Sequence, residues 1–346
     1  MSNGSKKNQQ TRYNKRFKNL LIVDQMNRRT FLASSAVCGF ACTDHLKSLA
    51  AASDRSPFNI FATADDKIVD KQKWARIEKI HDGIFAVVST PFDSRDFTTV
   101  CNGGIIVGDK GVLVVEAYMQ QQGAKWVTEQ TKKVSKRNPT DIVVTHNHGD
   151  HSTGHQGFEV DGKAPRIWLT DFTKTQAEST FKKQKAKNEF KNVKNLSADK
   201  PSTVDLGNRK VKIVPRAGHT QSDVTIEVAD PRVIFCGDLF FNRMFPNYLD
   251  ATPSKLNQFT KAMSAEKDVT FVPGHGPVSS QADLKKYVDF LGYVEDKART
   301  SFKKGITSAD ASKEFKLPKS LDEWLIWSPQ VVKRAYDAWY KELSKP

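Results

Sequence analysis

At 346 residues, with 38% hydrophobic and 27% charged side chains, the chain can bury a large core, either as one big domain with appendages or as two domains. Its formal net charge is +15, a balance that raises nucleic-acid binding. No interleaved aromatics or recognisable nucleic-acid motif accompany the basic residues, so they read as solvated faces and no nucleic-acid partner is expected.

Residues 1–52 hold nine Lys or Arg against two acids. Within them, Asn27-Arg28-Arg29-Thr30-Phe31-Leu32 and the weakly apolar run Ala33 to Cys42 resemble a twin-arginine export signal. Ala50-Ala51-Ala52 supplies the small residues of a cut site, placed after Ala52. Met26 directly precedes the motif and is an alternative start. The apolar run is too short and broken for a stable membrane span. The resemblance implies the twin-arginine export machinery as a partner and a periplasmic or otherwise exported location. Cys38 and Cys42 would leave with the leader. Cys101 and Cys236 remain, read as two buried free thiols although an oxidising compartment permits a bridge.

Residues 53–70 read as a linker, 71–300 as the main domain, and 301–346 as a C-terminal helical extension. Strand patterns begin after Trp74 with Gly83 to Val88, followed by a hairpin of Ile105 to Val107 and Val112 to Val115 around Gly108-Asp109-Lys110-Gly111. A surface helix is expected over 119–136. The Lys-rich region 171–200 reads as helical or irregular. Beyond it, Val211 to Val214, Asp223 to Val228, Val233 to Cys236 and Val269 to Val272 have the β-branched character of buried strands. After Pro277 the pattern is helical. Capping-box spacing marks Ser280 to Asp283 and Thr307 to Asp310, and Ser328-Pro329 opens an apolar stripe of Val332, Ala335, Tyr336, Trp339 and Leu343.

The most informative stretch is Thr145-His146-Asn147-His148-Gly149-Asp150-His151, which follows the buried run Asp141 to Val144. In extended backbone His146 and His148 share a face, and Gly149 lets Asp150 and His151 swing back toward them. Three imidazoles and a carboxylate in six residues suit a divalent metal taking nitrogen and oxygen ligands, zinc first. Later strands each run into a turn with one ligand-type residue flanked by glycine: Gly218-His219, Gly237-Asp238 and Gly274-His275.

Taken in that order, these motifs are similar to the metallo-β-lactamase superfamily over roughly residues 75 to 300. The resemblance implies an α/β fold, a four-layer αββα sandwich with two zinc ions at one sheet edge; iron or manganese fits the ligand types too. It places His146, His148 and His219 on the first metal, Asp150, His151 and His275 on the second, and Asp238 between them. His219 and His275 must then come within about 8 Å of the other imidazoles to share one binuclear centre.

The implied chemistry is hydrolysis of an ester, thioester or amide bond in a small molecule, with a β-lactam as a sub-case. A hydroxide between the two metals would attack, and Asp150 would orient it and pass a proton to the leaving group. An iron-dependent oxidoreductase of sulfur compounds and a phosphodiesterase or nuclease are the alternatives. Where the family commonly has Asp after the hairpin, this chain has Glu116, a departure that bears on support of the metal loop. Asn242 and Arg243 are candidates to reach an anionic substrate group, against a plain surface loop. Asp223 could hold a ligand imidazole or be a turn carboxylate, His155 reads as a neighbour of the site or a surface residue, and His81 as a turn residue. Oligomeric state is not legible.

Overall fold

The computed structural model describes residues 67–91, 94–183 and 189–345. The leader, its cut site, Cys38 and Cys42, and most of the expected linker lie outside them. In chain order the first half comprises β1 (Ile68–Lys71), β2 (Ala75–His81), β3 (Ile84–Ser89), β4 (Gly103–Val107), β5 (Val112–Val115), α1 (Gln121–Ser135), β6 (Asp141–Val143), the single turn α2 (Gly149–Ser152), β7 (Arg166–Thr170), α3 (Asp171–Lys183) and β8 (Val193–Leu196). The second half comprises β9 (Ser202–Asp205), β10 (Lys210–Pro215), β11 (Val224–Val228), β12 (Val233–Phe241), α4 (Pro253–Ser264), β13 (Thr270–His275), α5 (Gln281–Lys303), α6 (Ser308–Glu314) and α7 (Pro329–Leu343).

Strands β1 to β8 form one sheet in sequence order, antiparallel as far as β5 and parallel from β5 to β8. The other sheet runs β13-β12-β11-β10-β9, with only β12 and β13 parallel. Period-two alternation sorts each strand between two cores. In β3, Ile84, Ala86 and Val88 face the other sheet, while Phe85 and Val87 face α1 and α3. In β12, Val233 and Phe235 turn inward, and Ile234 and Cys236 turn outward to the helices α4 to α7. Helix, sheet, sheet and helix thus stack as the four layers expected.

Three boundaries differ from the sequence reading. The linker's last residues are already strand: Ile68 to Lys71 pair antiparallel with β2. The irregular region before residue 201 contains β8, and β9 follows where no strand was expected. The division at residue 300 falls inside α5, and α7 buries Val331, Val332, Ala335, Tyr336 and Trp339 in the same core as β12 and α4. Fully burying side chains of this size stabilises by about 1.5–3 kcal/mol each, so α7 is welded to the domain. The capping box at Ser280 and Asp283 and the Ser328 cap form as the spacing predicts. Cys101 and Cys236 are buried free thiols. No helix among the described residues is long and apolar enough to cross a membrane.

Candidate metal centre

Seven donors arrive at one edge from four places in the chain. Past β6, Thr145 is locked between the sheets, its carbonyl accepting from Val224 N at 3.1 Å and its amide donating to Glu116 Oε2 at 3.2 Å. His148 stays extended and opens α2, whose first turn carries Asp150 and His151. That helical turn brings them back. Gly149 itself has ordinary space around it, the nearest atom to an added Cβ being Thr153 Cγ2 at 3.5 Å.

Two other glycines are required. Gly237, at φ +52°, lets β12 bend past Thr145 beside Asp238, and a Cβ on Gly274 would lie 2.2 Å from Asp238 Oδ1. His219 sits in the turn after β10 and His275 ends β13.

Ring centroids lie 4.9 Å apart for His146 and His219, 4.8 Å for His148 and His219, and 5.7 Å for His151 and His275. The donor atoms form two groups, His146 with His148, His219 and Asp238, and Asp150 with His151 and His275; within each they lie inside 4.8 Å of one another. Asp238 faces both. Its Oδ2 is 3.2 Å from His219 Nε2 and 3.8 Å from His146 Nε2, whereas Oδ1 is 3.1 Å from His151 Nε2 and 3.2 Å from His275 Nε2. Asp150 Oδ2 stands 3.3 Å from His275 Nε2 and 3.4 Å from His151 Nε2.

These buried groups carry opposed charges. Burial would raise both carboxyls, but the surrounding imidazoles hold Asp150 and Asp238 well below the usual carboxylate range. Burial pushes His146 well down, with the His151 and His148 charges adding to the effect. For His275 burial is outweighed by Asp238 and Asp150, which lift it to about 9. In His148 the same opposition is won by Asp250, whose Oδ2 lies 3.0 Å from His148 Nε2.

The surrounding hydrogen bonds select tautomers. Glu116 Oε1 accepts from Thr145 Oγ1 at 2.6 Å, so that hydroxyl accepts in turn from His146 Nδ1 at 2.9 Å and leaves Nε2 bare toward the cluster. The same Glu116 oxygen is 3.0 Å from His151 Nδ1. The longer side chain therefore still supports the metal loop, reaching it from a backbone at φ +75°. Asp250 does for His148 what Glu116 does for His151, and nothing local in the sequence marks it. Asn102 is also new: Nδ2 donates to Pro273 and Gly276 carbonyls at 3.1 and 2.6 Å, clasping the turn that carries His275.

Other candidates sit elsewhere. Asp223 accepts from the Gly218 and Thr220 amides at 2.8 and 2.7 Å, so it shapes the turn and not the ring of His219. Asn242, a candidate substrate contact, tethers the turn after β13: its amide donates to Ser279 Oγ at 2.6 Å and to the Pro277 carbonyl at 3.3 Å. Arg243 follows half-buried at φ +58°, its carbonyl accepting from Leu325 N. His155 is no surface residue: it is buried, stacked on Phe190 at 4.2 Å, with its nitrogens against the Ser152 and Glu189 carbonyls. The Cys101 thiol donates to the Asp150 carbonyl at 2.9 Å, and burial raises it to about 12.

The donor set fits metal. His146 Nε2 and Asp238 Oδ1 are buried with no hydrogen-bond partner among the described residues. Ligands about 2.0–2.2 Å from a tetrahedral ion stand about 3.3–3.6 Å apart, and these atoms lie 3.0 to 3.8 Å from their neighbours.

Fold and donors together define a metal-dependent hydrolase. The sequence model of the Metallo-beta-lactamase superfamily matches residues 97–288, and the chain belongs to that family. It is similar to the metallo-beta-lactamase type 2 of Bacillus sp. (strain 170), 24% identical over 197 residues that span 55% of this chain and 72% of that protein. It is also similar to the hydroxyacylglutathione hydrolase of Buchnera aphidicola subsp. Baizongia pistaciae (strain Bp), 33% identical over 113 residues, 32% of this chain and 38% of that one. Among solved structures, the inverting sec-alkylsulfatase Pisa1 from Pseudomonas sp. shares the fold with TM-score 0.58 and 15% identity; the match covers 78% of this chain and half of that one.

Proposed function

We propose that the chain is an exported, zinc-dependent hydrolase that cleaves an ester, thioester or amide bond in a small molecule, with two zinc ions per chain. The observation that carries this reading is Asp238 dividing its two oxygens between two groups of imidazoles. His146, His148 and His219 would hold one ion, Asp150, His151 and His275 the other, and Asp238 both. Such ions lower the pKa of bound water toward about 7 and polarise the oxygen of the bond under attack.

This chain's residues supply the rest. Asp150 is the most open of the seven, its side chain 18% exposed where Asp238 is 4% and His151 0%. An ionised carboxylate at the open side can orient water, take its proton and return it to the leaving group. Glu116, Thr145 and Asp250 fix the imidazole rings, and the near-sealed floor keeps bulk water off the donors.

The test is metal analysis of the purified mature chain, with a panel of lactam, lactone, thioester, sulfate ester and phosphodiester substrates assayed with and without chelator. Two equivalents of zinc and chelator-sensitive turnover of a carboxyl derivative are expected, with Asp150→Asn losing at least about 100-fold in kcat. Nitrocefin in the same panel tests for a β-lactamase. Native iron with redox turnover, or turnover of phosphodiester or sulfate ester alone, would replace the reading. Export by the twin-arginine route is proposed from Arg28 and Arg29: the Arg28→Lys, Arg29→Lys double variant should stay inside the cell, and its unchanged appearance outside would refute the route.

A further inference from the structure

The C-terminal helix α7 lies beyond the family match at residues 97–288, yet it grips the stretch that supports one half of the metal centre. Residues 243–254 run from just past the end of β12 into the first turn of α4. From this stretch Asp250 reaches His148 Nε2 at 3.0 Å, and Thr252 N donates to the Gly218 carbonyl at 2.9 Å, next to His219. Two of the three imidazoles in the His146, His148 and His219 group thus lean on it.

The C-terminal residues hold the same stretch along its length. At one end Leu325 N donates to the Arg243 carbonyl at 3.0 Å, Phe245 N to the Leu325 carbonyl at 2.9 Å, and Trp327 Nε1 to the Phe245 carbonyl at 3.1 Å. In the middle Arg334 Nη1 donates to Asn247 Oδ1 at 3.0 Å. At the far end Glu342 Oε2 accepts from Ser254 N at 3.3 Å. That last contact fills a gap, because Thr252 makes no side-chain cap on α4 and the amide of its second residue would otherwise lack a partner. The other donor group is supported elsewhere, through Glu116 on His151 and Asn102 on the His275 turn.

We propose that α7 is a positioning element of the metal centre: Arg334 and Glu342, which touch no donor atom, set His148 and His219 through residues 243–254 and so govern metal affinity at one site of the two. The proposal rests on the binuclear reading above. An orienting partner of a ligand is worth about 10–100-fold in metal affinity, and residues one contact further out should fall near the lower figure.

The experiment is stepwise Co²⁺ titration of the metal-free mature chain, followed by visible absorption and chelator competition. His219→Ala and His275→Ala, each removing a donor from one group, assign the two steps. Arg334→Met and Glu342→Gln should each weaken the His146, His148 and His219 step by about tenfold and leave the other step within twofold. Arg334→Lys, which keeps a donor for Asn247, should restore most of the loss. The idea is overturned if both steps stay as in the parent, or if both weaken in parallel with a lowered melting temperature, the signature of a merely structural helix. A parent chain that takes up no metal at all would instead remove the binuclear reading, and the proposal with it.

Discussion

Replacing Glu116 by Gln tests how the metal loop is held. The carboxylate is 1% exposed and both its oxygens are engaged, Oε1 by Thr145 Oγ1 with His151 Nδ1 close by, Oε2 by the Thr145 amide. Glutamine keeps one acceptor and turns the other into an NH₂ group. Placed toward the Thr145 amide, that group sets donor against donor. Placed toward Thr145 Oγ1, it reverses the hydroxyl relay, and His146 then carries its proton on Nε2, the nitrogen meant for metal. Losing a charge-assisted hydrogen bond and stranding a buried donor costs about 2–4 kcal/mol. Metal affinity should fall about 10–100-fold, and more at the His146 side if the relay reverses. Chelator competition on the full mature chain, with urea unfolding of the metal-free form, measures both quantities. A variant within twofold of the parent in affinity and within about 0.5 kcal/mol in stability would refute the tautomer argument.

Two further outcomes follow from the same geometry. Gly274→Ala places a methyl against Asp238 Oδ1, so the variant should bind less than one metal per chain while keeping its far-ultraviolet circular dichroism; full occupancy would show that β13 yields easily. Protons and cations compete for these donors. His275 is lifted from 6.5 to about 9 in the metal-free chain, so its contribution to stability is complete below about pH 6.5 and lost as pH rises through 9, while that of Asp150 and Asp238 is lost only in acid, as pH falls through their depressed range. Metal loading at pH 7 should therefore release at least about one proton, since His148 and His151 are raised as well, and the share from His275 should fade above pH 9. Calorimetry in buffers of different ionisation heat counts it, and no release at pH 7 would contradict the assignment.

Much of this architecture was legible locally. Unbroken apolar runs mark strands with both faces covered, which is why β3, the β4–β5 hairpin and β11 to β13 stand out, while β10 shows through its alternation of buried and exposed positions. The Ser280 and Ser328 caps are patterns of two to four residues, readable without a fold. β8 and β9 escaped because they lie toward the sheet edges and their exposed positions are polar, as in Val193-Lys194-Asn195-Leu196 and Ser202-Thr203-Val204-Asp205. His146, His148, Asp150 and His151 are neighbours in sequence and announce themselves; His219, Asp238 and His275 carry glycine punctuation.

What residue order alone determined is the list of donors, because metal-ligating side chains cluster and need turns. Tertiary structure decided which atom of each donor faces inward and which side chains hold it there. Asp250 is 102 positions from His148 and Asn102 is 174 from Gly276, and no local pattern links residues so far apart. Their pairing exists only where two sheets and a C-terminal helix close over one edge, because hydrogen bonds act over about 3 Å of space whatever the separation along the chain.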